Sequence, residues 1–189
     1  MKKRLLSSFL TLALLLTLLP TAVMAASLDG TMDVVYIKSG SESAPNGTGT
    51  QTDPFKDISL AIKAVKNDGK ILILGKGFAN DPGNNQPLII DKNVTITGAG
   101  SEKTSLQVRA AGILLGADVT IENVELSFEN RLHNAIFVNG HKFTATNVTQ
   151  ASGSREVHLF GGGLKGVTTA TSGSAAVLTL ADSTFGNIH

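Results

Sequence analysis

From Leu88 onward the chain repeats one short pattern: an apolar run of three or four residues, a polar turn, then a triplet that alternates apolar, polar, apolar. Leu88-Ile89-Ile90 leads into Val94-Thr95-Ile96, Ile113-Leu114-Leu115 into Val119-Thr120-Ile121, and Ala135 to Val138 into Phe143-Thr144-Ala145. A period of two predicts strands with one buried face, and the Gly, Asn, Asp and Ser between them mark turns. The triplets begin 25 and then 24 residues apart, the length of one coil of a stacked solenoid. Leu178-Thr179-Leu180 repeats the triplet after a gap of 35. Val157 to Phe160 fits into that gap as a strand, with Gly161 to Gly163 expanding the loop after it.

A second periodicity follows the triplets. Glu122-Asn123-Val124 and Thr146-Asn147-Val148 put Asn123 and Asn147 in equivalent turns, 24 residues apart. Asn tolerates the left-handed conformation of a sharp corner, and stacked amides can hydrogen-bond between coils about 4.8 Å apart. Both are therefore expected to form a structural ladder. Asn46, Asn93 and Asn147 also stand in N-x-[ST] frames, a match that is cheap in a chain this rich in Asn, Ser and Thr.

Upstream, the period changes. Asp57 reads as an N-cap after Pro54, and Ile58, Ala61, Ile62 and Val65 form the apolar stripe of a helix of two to three turns, with Gly69 at its stop. Lys70 to Leu74, KILIL, reads as a strand buried on both sides. The short helix is expected to lie across the end of the sheet stack and cover its edge.

The first residues are an address. Lys2, Lys3 and Arg4, then Leu5 to Leu19, then Val23 and Ala25, give the charged, apolar and small order of a secretory signal cut after Ala25 or Ala26. The apolar run is shorter than the roughly 20 residues that span a bilayer. No later segment is long and apolar enough to serve as a transmembrane segment of the mature chain. The organisation expected is a signal peptide over 1–25, an N-terminal cap over 26–78, and coils over 79–189, incomplete at the C-terminus. Losing the three basic residues leaves 13 Lys and Arg against 15 Asp and Glu, and the bases are scattered. Such a surface argues against nucleic acid, which needs clustered positive charge. With no Cys, the chain has neither a disulfide nor a lipid-modified cysteine.

Tyr36-Ile37, Asn46 to Thr50, Asp53-Pro54-Phe55, Ile58 to Val65, Gly69-Lys70-Ile71, Gly75 to Phe78 and Ile90 to Gly98 together resemble the N-terminal cap and first coils of the pectate-lyase-like right-handed parallel β-helix proteins of bacteria. The resemblance covers about residues 34 to 189. It implies an all-β, single-stranded right-handed parallel β-helix with a short capping α-helix. It does not select a chemistry, because such a fold hosts lyases, hydrolases, esterases and adhesins.

Hydrolases of that kind are similar in an Asn-x-Asp, an Asp-Asp, a Gly-His-Gly and an Arg-x-Lys on successive coils. This chain has no Asp-Asp and no Arg-x-Lys, and Gly140-His141-Lys142 replaces Gly-His-Gly. Lyases of the family need a calcium site and a basic residue to take a proton beside a uronate. The nearest candidates are Glu125, Glu129, Arg131 and His133 for catalysis and Glu122 with Glu125 for calcium. Alternation of Val124, Leu126 and Phe128 with Glu125, Ser127 and Glu129 puts both carboxylates on one outer face, with Arg131 and His133 in the turn beyond. Asp29 with Asp33, or Asp81 with Asn84 and Asn85, could form an ion site in the cap loops. A solvated outer face is the leading reading of these acids, ahead of calcium or sugar binding and then catalysis, so no cofactor is assigned, with calcium as the alternative.

Most Phe residues occupy apolar-patterned positions and are expected in the core, and there is no Trp. Glycan contact would therefore use polar side chains along the long face. The leading reading is a secreted or cell-surface module for adhesion or glycan association, the front part of a larger protein. Its alternatives are a polysaccharide lyase or glycoside hydrolase with incomplete active-site coils, and a structural stalk. The last coil, with Leu178, Leu180 and Phe185, is expected to be open to end-to-end self-association.

Overall fold

The computed structural model describes residues 28–39, 47–80, 82–100, 104–129, 133–167 and 175–189. The signal segment, Asn46, Asp81 and Arg131 lie outside them. The described residues form β1 (Met32–Ile37), helix α1 (Ile58–Ala64), β2 (Val65–Ile73), β3 (Lys76–Ala79), β4 (Leu88–Ile90), β5 (Val94–Gly98), β6 (Ser105–Val108), β7 (Ile113–Leu115), β8 (Val119–Phe128), β9 (Ala135–Phe137), β10 (Lys142–Gln150), β11 (His158–Phe160) and β12 (Val177–Ala181).

Each strand pairs in parallel with its counterpart one coil away, which makes the chain a parallel β-helix with three walls. The first runs β1-β2-β5-β8-β10-β12. The second joins β3, β6 and the C-terminal parts of β8 and β10. The third runs β4-β7-β9-β11. Val94, Val119, Phe143 and Leu178 stand opposite one another in register, as the triplet spacing predicts.

Inward-facing side chains stack in columns. Val35, Ile71, Ile96, Ile121, Ala145 and Leu180 form one of them. Its first five members are 0–1% exposed, and burying each Val or Ile among them contributes roughly 1.5–3 kcal/mol. In the last coil Leu178, Leu180 and Phe185 pack against the core while only partly buried, and Val177 and Ile188 are 50% and 54% exposed.

The corner between the first and second walls sets the register. Asn123 and Asn147 adopt φ of 55° and 53°, and Asp182 follows in the same column at 49°. Asn147 Nδ2 donates to Asn123 Oδ1 at 3.0 Å. One coil earlier the column holds Gly98, where a Cβ would come within 2.5 Å of the Asn123 carbonyl oxygen, so the close approach of the chain there requires glycine.

In the cap, Asp57 Oδ1 accepts from the Ser59 N–H at 2.7 Å while its Oδ2 accepts from the Asn80 N–H at 2.8 Å, tying the helix start to the end of β3. Ile58, Ala61 and Ile62 enter the core, and α1 packs on β1, β2 and β3. The helix is shorter than the apolar stripe predicts: Val65 already leads β2, and Gly69 lies within that strand. Val65 is β-branched, and its N–H still caps the helix by donating to the Ala61 carbonyl. KILIL also differs from expectation. Lys70 is exposed and Leu72 half-buried, because α1 leaves the outer side of this wall uncovered and only Ile71 and Ile73 point inward. Lys66 pairs with Asp33 at the cap. The hydrogen bond and then the charge of that carboxylate hold the ammonium above its usual pKa.

The corner column generates a stability prediction. Asn147→Ala should lower the unfolding free energy by about 1–2 kcal/mol, through the lost amide bond and the strain of a left-handed alanine. Asn147→Gly should recover the backbone part. Urea denaturation of the three proteins measures this, and equal stability of the alanine and glycine variants would remove the corner's conformational role.

Candidate functional site

β8 bends at Asn123, so residues on either side of that corner face different directions. Glu122 projects from the first wall, beside Thr97 and Thr146. Glu125 projects from the second wall, beside Ser105 and Thr149. Glu129 follows on the same wall, its N–H donating to the Val108 carbonyl at 2.9 Å. Glu125 and Glu129 stand four positions apart on extended backbone, so their Cα atoms are about 13 Å apart. That backbone spacing is wide for a pair whose carboxyl groups, in most glycosidases, stand roughly 5 to 9.5 Å apart. His133 stands elsewhere, its ring edge-on to Phe137 on the third wall with centroids 5.8 Å apart. The structure thus brings Glu125 and Glu129 onto one wall but separates them from His133, and it parts Glu122 from Glu125.

Glu129 has a structural engagement. Its Oε2 accepts from Arg109 Nε at 3.1 Å and its Oε1 from Gln107 Nε2. The Arg109 guanidinium lies over the Phe78 ring at 4.0 Å and reaches Asn80 Oδ1 at 3.4 Å. This clamp ties three successive coils of the second wall together. In the cap loops, Asp29 Oδ1 accepts from Thr31 N and Oγ1, Asp33 pairs with Lys66, and Asn84 and Asn85 are both left-handed. Among the described residues no three His, Asp or Glu side chains come together as an ion site.

The first wall carries a different arrangement on its outer side. A groove of about 330 Å³ is lined there by Asp68, Asn93, Thr95, Asp118, Thr120, Lys142 and Thr144. Thr95, Thr120, Thr144 and Thr179 are in register on consecutive coils, so their hydroxyls repeat about every 4.8 Å. A ladder forms one bank. Asn67 Oδ1 accepts from the Asn93 N–H at 2.9 Å, Asn93 Oδ1 from the Asp118 N–H at 3.0 Å, and Asp118 Oδ1 from the Lys142 N–H at 2.9 Å. Each side chain holds the turn of the next coil, so the groove floor and its bank are fixed by the same bonds. Asn93, one of the three glycosylation frames, is used in this ladder.

The signal for the groove was present in the sequence. The polar middle of every triplet is Thr, and the turns before two of them end in Asn93 and Asp118. The apolar ends of each triplet mark the core, and the Thr between them marks the groove. Most phenylalanines are core as expected: Phe55, Phe128 and Phe143 lie in the main core and Phe137 in a second buried cluster with Leu114 and Ala135 on the third wall, whereas Phe78 on the second wall and Phe160 on the third are only partly buried. Phe137 and Phe160 stack at 5.3 Å, followed by the His189 ring at 4.7 Å.

A family model described as "Protein of unknown function (DUF1565)" matches residues 39–158. The chain belongs to the DUF1565 family. The DUF1565 match runs from the cap through β10 and includes both side-chain ladders and the groove. No curated protein and no solved structure matches the chain.

The clamp on the second wall makes a measurable prediction. Surface ion pairs contribute about 0.2–1 kcal/mol and exposed cation–π contacts about 0.5–1. Arg109→Ala should therefore cost about 1 kcal/mol, and a double-mutant cycle with Glu129→Ala should return a coupling of about 0.5 kcal/mol. A coupling of zero would make the clamp a passive surface contact.

Proposed function

We propose that the chain is a secreted β-helix module of the pectate-lyase-like kind that associates with glycans without cleaving them. The observation that carries this reading is the groove on the first wall. Its hydroxyls, amides and carboxylates converge on a concave strip that runs along the stack, and a rank repeated on each coil suits a polymer with a similar repeat. Hydrogen bonds from such side chains are individually modest, about 0.5–1.5 kcal/mol, so affinity grows with the number of sugar units spanned. A surface module of this kind would serve adhesion, within a larger protein or beside other copies. The wide separation of Glu125 and Glu129, and the use of Glu129 by Arg109, argue against a hydrolytic pair.

Affinity electrophoresis of the mature chain through gels containing soluble plant, bacterial and host polysaccharides tests the proposal. Retardation is expected in at least one gel. Thr120→Ala combined with Thr144→Ala should weaken it about three- to tenfold while the melting temperature stays within a few degrees. Free migration in every gel would overturn the reading, as would release of new chain ends that is lost in Glu125→Ala.

A further inference from the structure

The charge along the groove bears on which glycan it takes. On the coil of β8, Asp118 lies just before the strand and lines the groove beside Thr120, and Glu122 is the next outward position of the strand beyond Thr120, at the edge of that lining. The Asp118 side chain is 56% exposed, and its Oδ1 already accepts from the Lys142 N–H. His141 Nδ1 lies 3.9 Å from that same oxygen. Asp68 is the second carboxylate of the lining. Lys142 is the basic residue of the lining and follows Asp118 on the next coil, and Lys70, in register with Thr95, stands on the cap side. A polymer lying along the threonines therefore crosses a centre flanked by carboxylates.

We propose that the groove selects neutral polysaccharides and rejects polyuronates, with Asp118 and Glu122 as its specificity-determining residues; this rests on the glycan-binding reading above. Ionised carboxylates accept strong, charge-assisted hydrogen bonds from sugar hydroxyls. A uronate in the same place brings like charges together, and that repulsion discriminates against the acidic partner.

The test compares polymers of one backbone with and without the acid charge: hydroxyethylcellulose against C6-oxidised cellulose, and fully methyl-esterified polygalacturonate against polygalacturonate, at low salt with a chelator present. Binding of at least one neutral polymer is expected, at least tenfold tighter than its acidic counterpart. Asp118→Asn with Glu122→Gln should bring the two within about threefold, because the amide keeps the Oδ1 acceptor while removing charge. Equal or tighter binding of the polyuronate by the unaltered protein overturns the selectivity and leaves glycan association standing. Binding of neither class, with the variants folded, overturns both.

Discussion

Parallel strands can stack in register only if every coil returns the chain to the same place, and in this protein that condition is met at the corners. The turn at Asn123, Asn147 and Asp182 puts a left-handed residue in three successive coils, and few side chains tolerate that backbone. An Asn there fulfils two requirements together. It accepts the conformation, and its amide bonds to the Asn of the next coil. The opposite side of the first wall is fixed in a related way, since Asn93 and Asp118 each accept the backbone N–H of the following coil. With both edges pinned, a one-residue slip would turn the inward column of Ile71, Ile96 and Ile121 toward water. The core and the corners therefore specify the same register.

That register separates what the inside does from what the outside displays. Inward positions are committed to aliphatic columns, while each outward position is repeated at fixed spacing on a rigid wall. The three walls have taken different characters. The second carries the clamp around Arg109, and the third carries the stacked rings of Phe137, Phe160 and His189. The first carries hydroxyls and carboxylates in a groove. A repeated hydroxyl on a rigid lattice is preorganised, so little ordering cost is incurred when a polymer meets it.

The strands that alternate cleanly were legible in the sequence, because an apolar residue on either side of Thr leaves no doubt about which face is inside. The N-cap at Asp57 was legible for the same reason, since its carboxylate has one evident use. The second wall was harder. β6, Ser-Leu-Gln-Val, is short and follows a loop, and its pairing with β3 and β8 depends on a bend that only the three-dimensional stack reveals. The end of α1 is ambiguous in the sequence because Val65 satisfies a helical stripe and a strand start equally well. Of the site residues, Glu125 and Glu129 were correctly given a common face, but their distance along an extended strand and the claim of Arg109 on Glu129 are properties of the fold. Arg109 itself is one basic residue among many until Phe78 and Glu129 are placed beside it.

Register is the quantity on which the walls, the ladders and the groove all depend, and the absence of cysteine makes it directly measurable by cross-linking. Thr120 and Thr144 are direct partners on adjacent coils, whereas Thr146 pairs with Glu122. Direct neighbours fall within the Cα separation of about 4.4–6.8 Å that a disulfide accepts, and diagonal ones at about 7–8 Å exceed it. Mild oxidation of Thr120→Cys with Thr144→Cys is predicted to close a disulfide in the folded monomer, while Thr120→Cys with Thr146→Cys stays reduced. Efficient closure of the second pair and not the first would contradict the register, and with it the stacked threonines on which the functional reading stands.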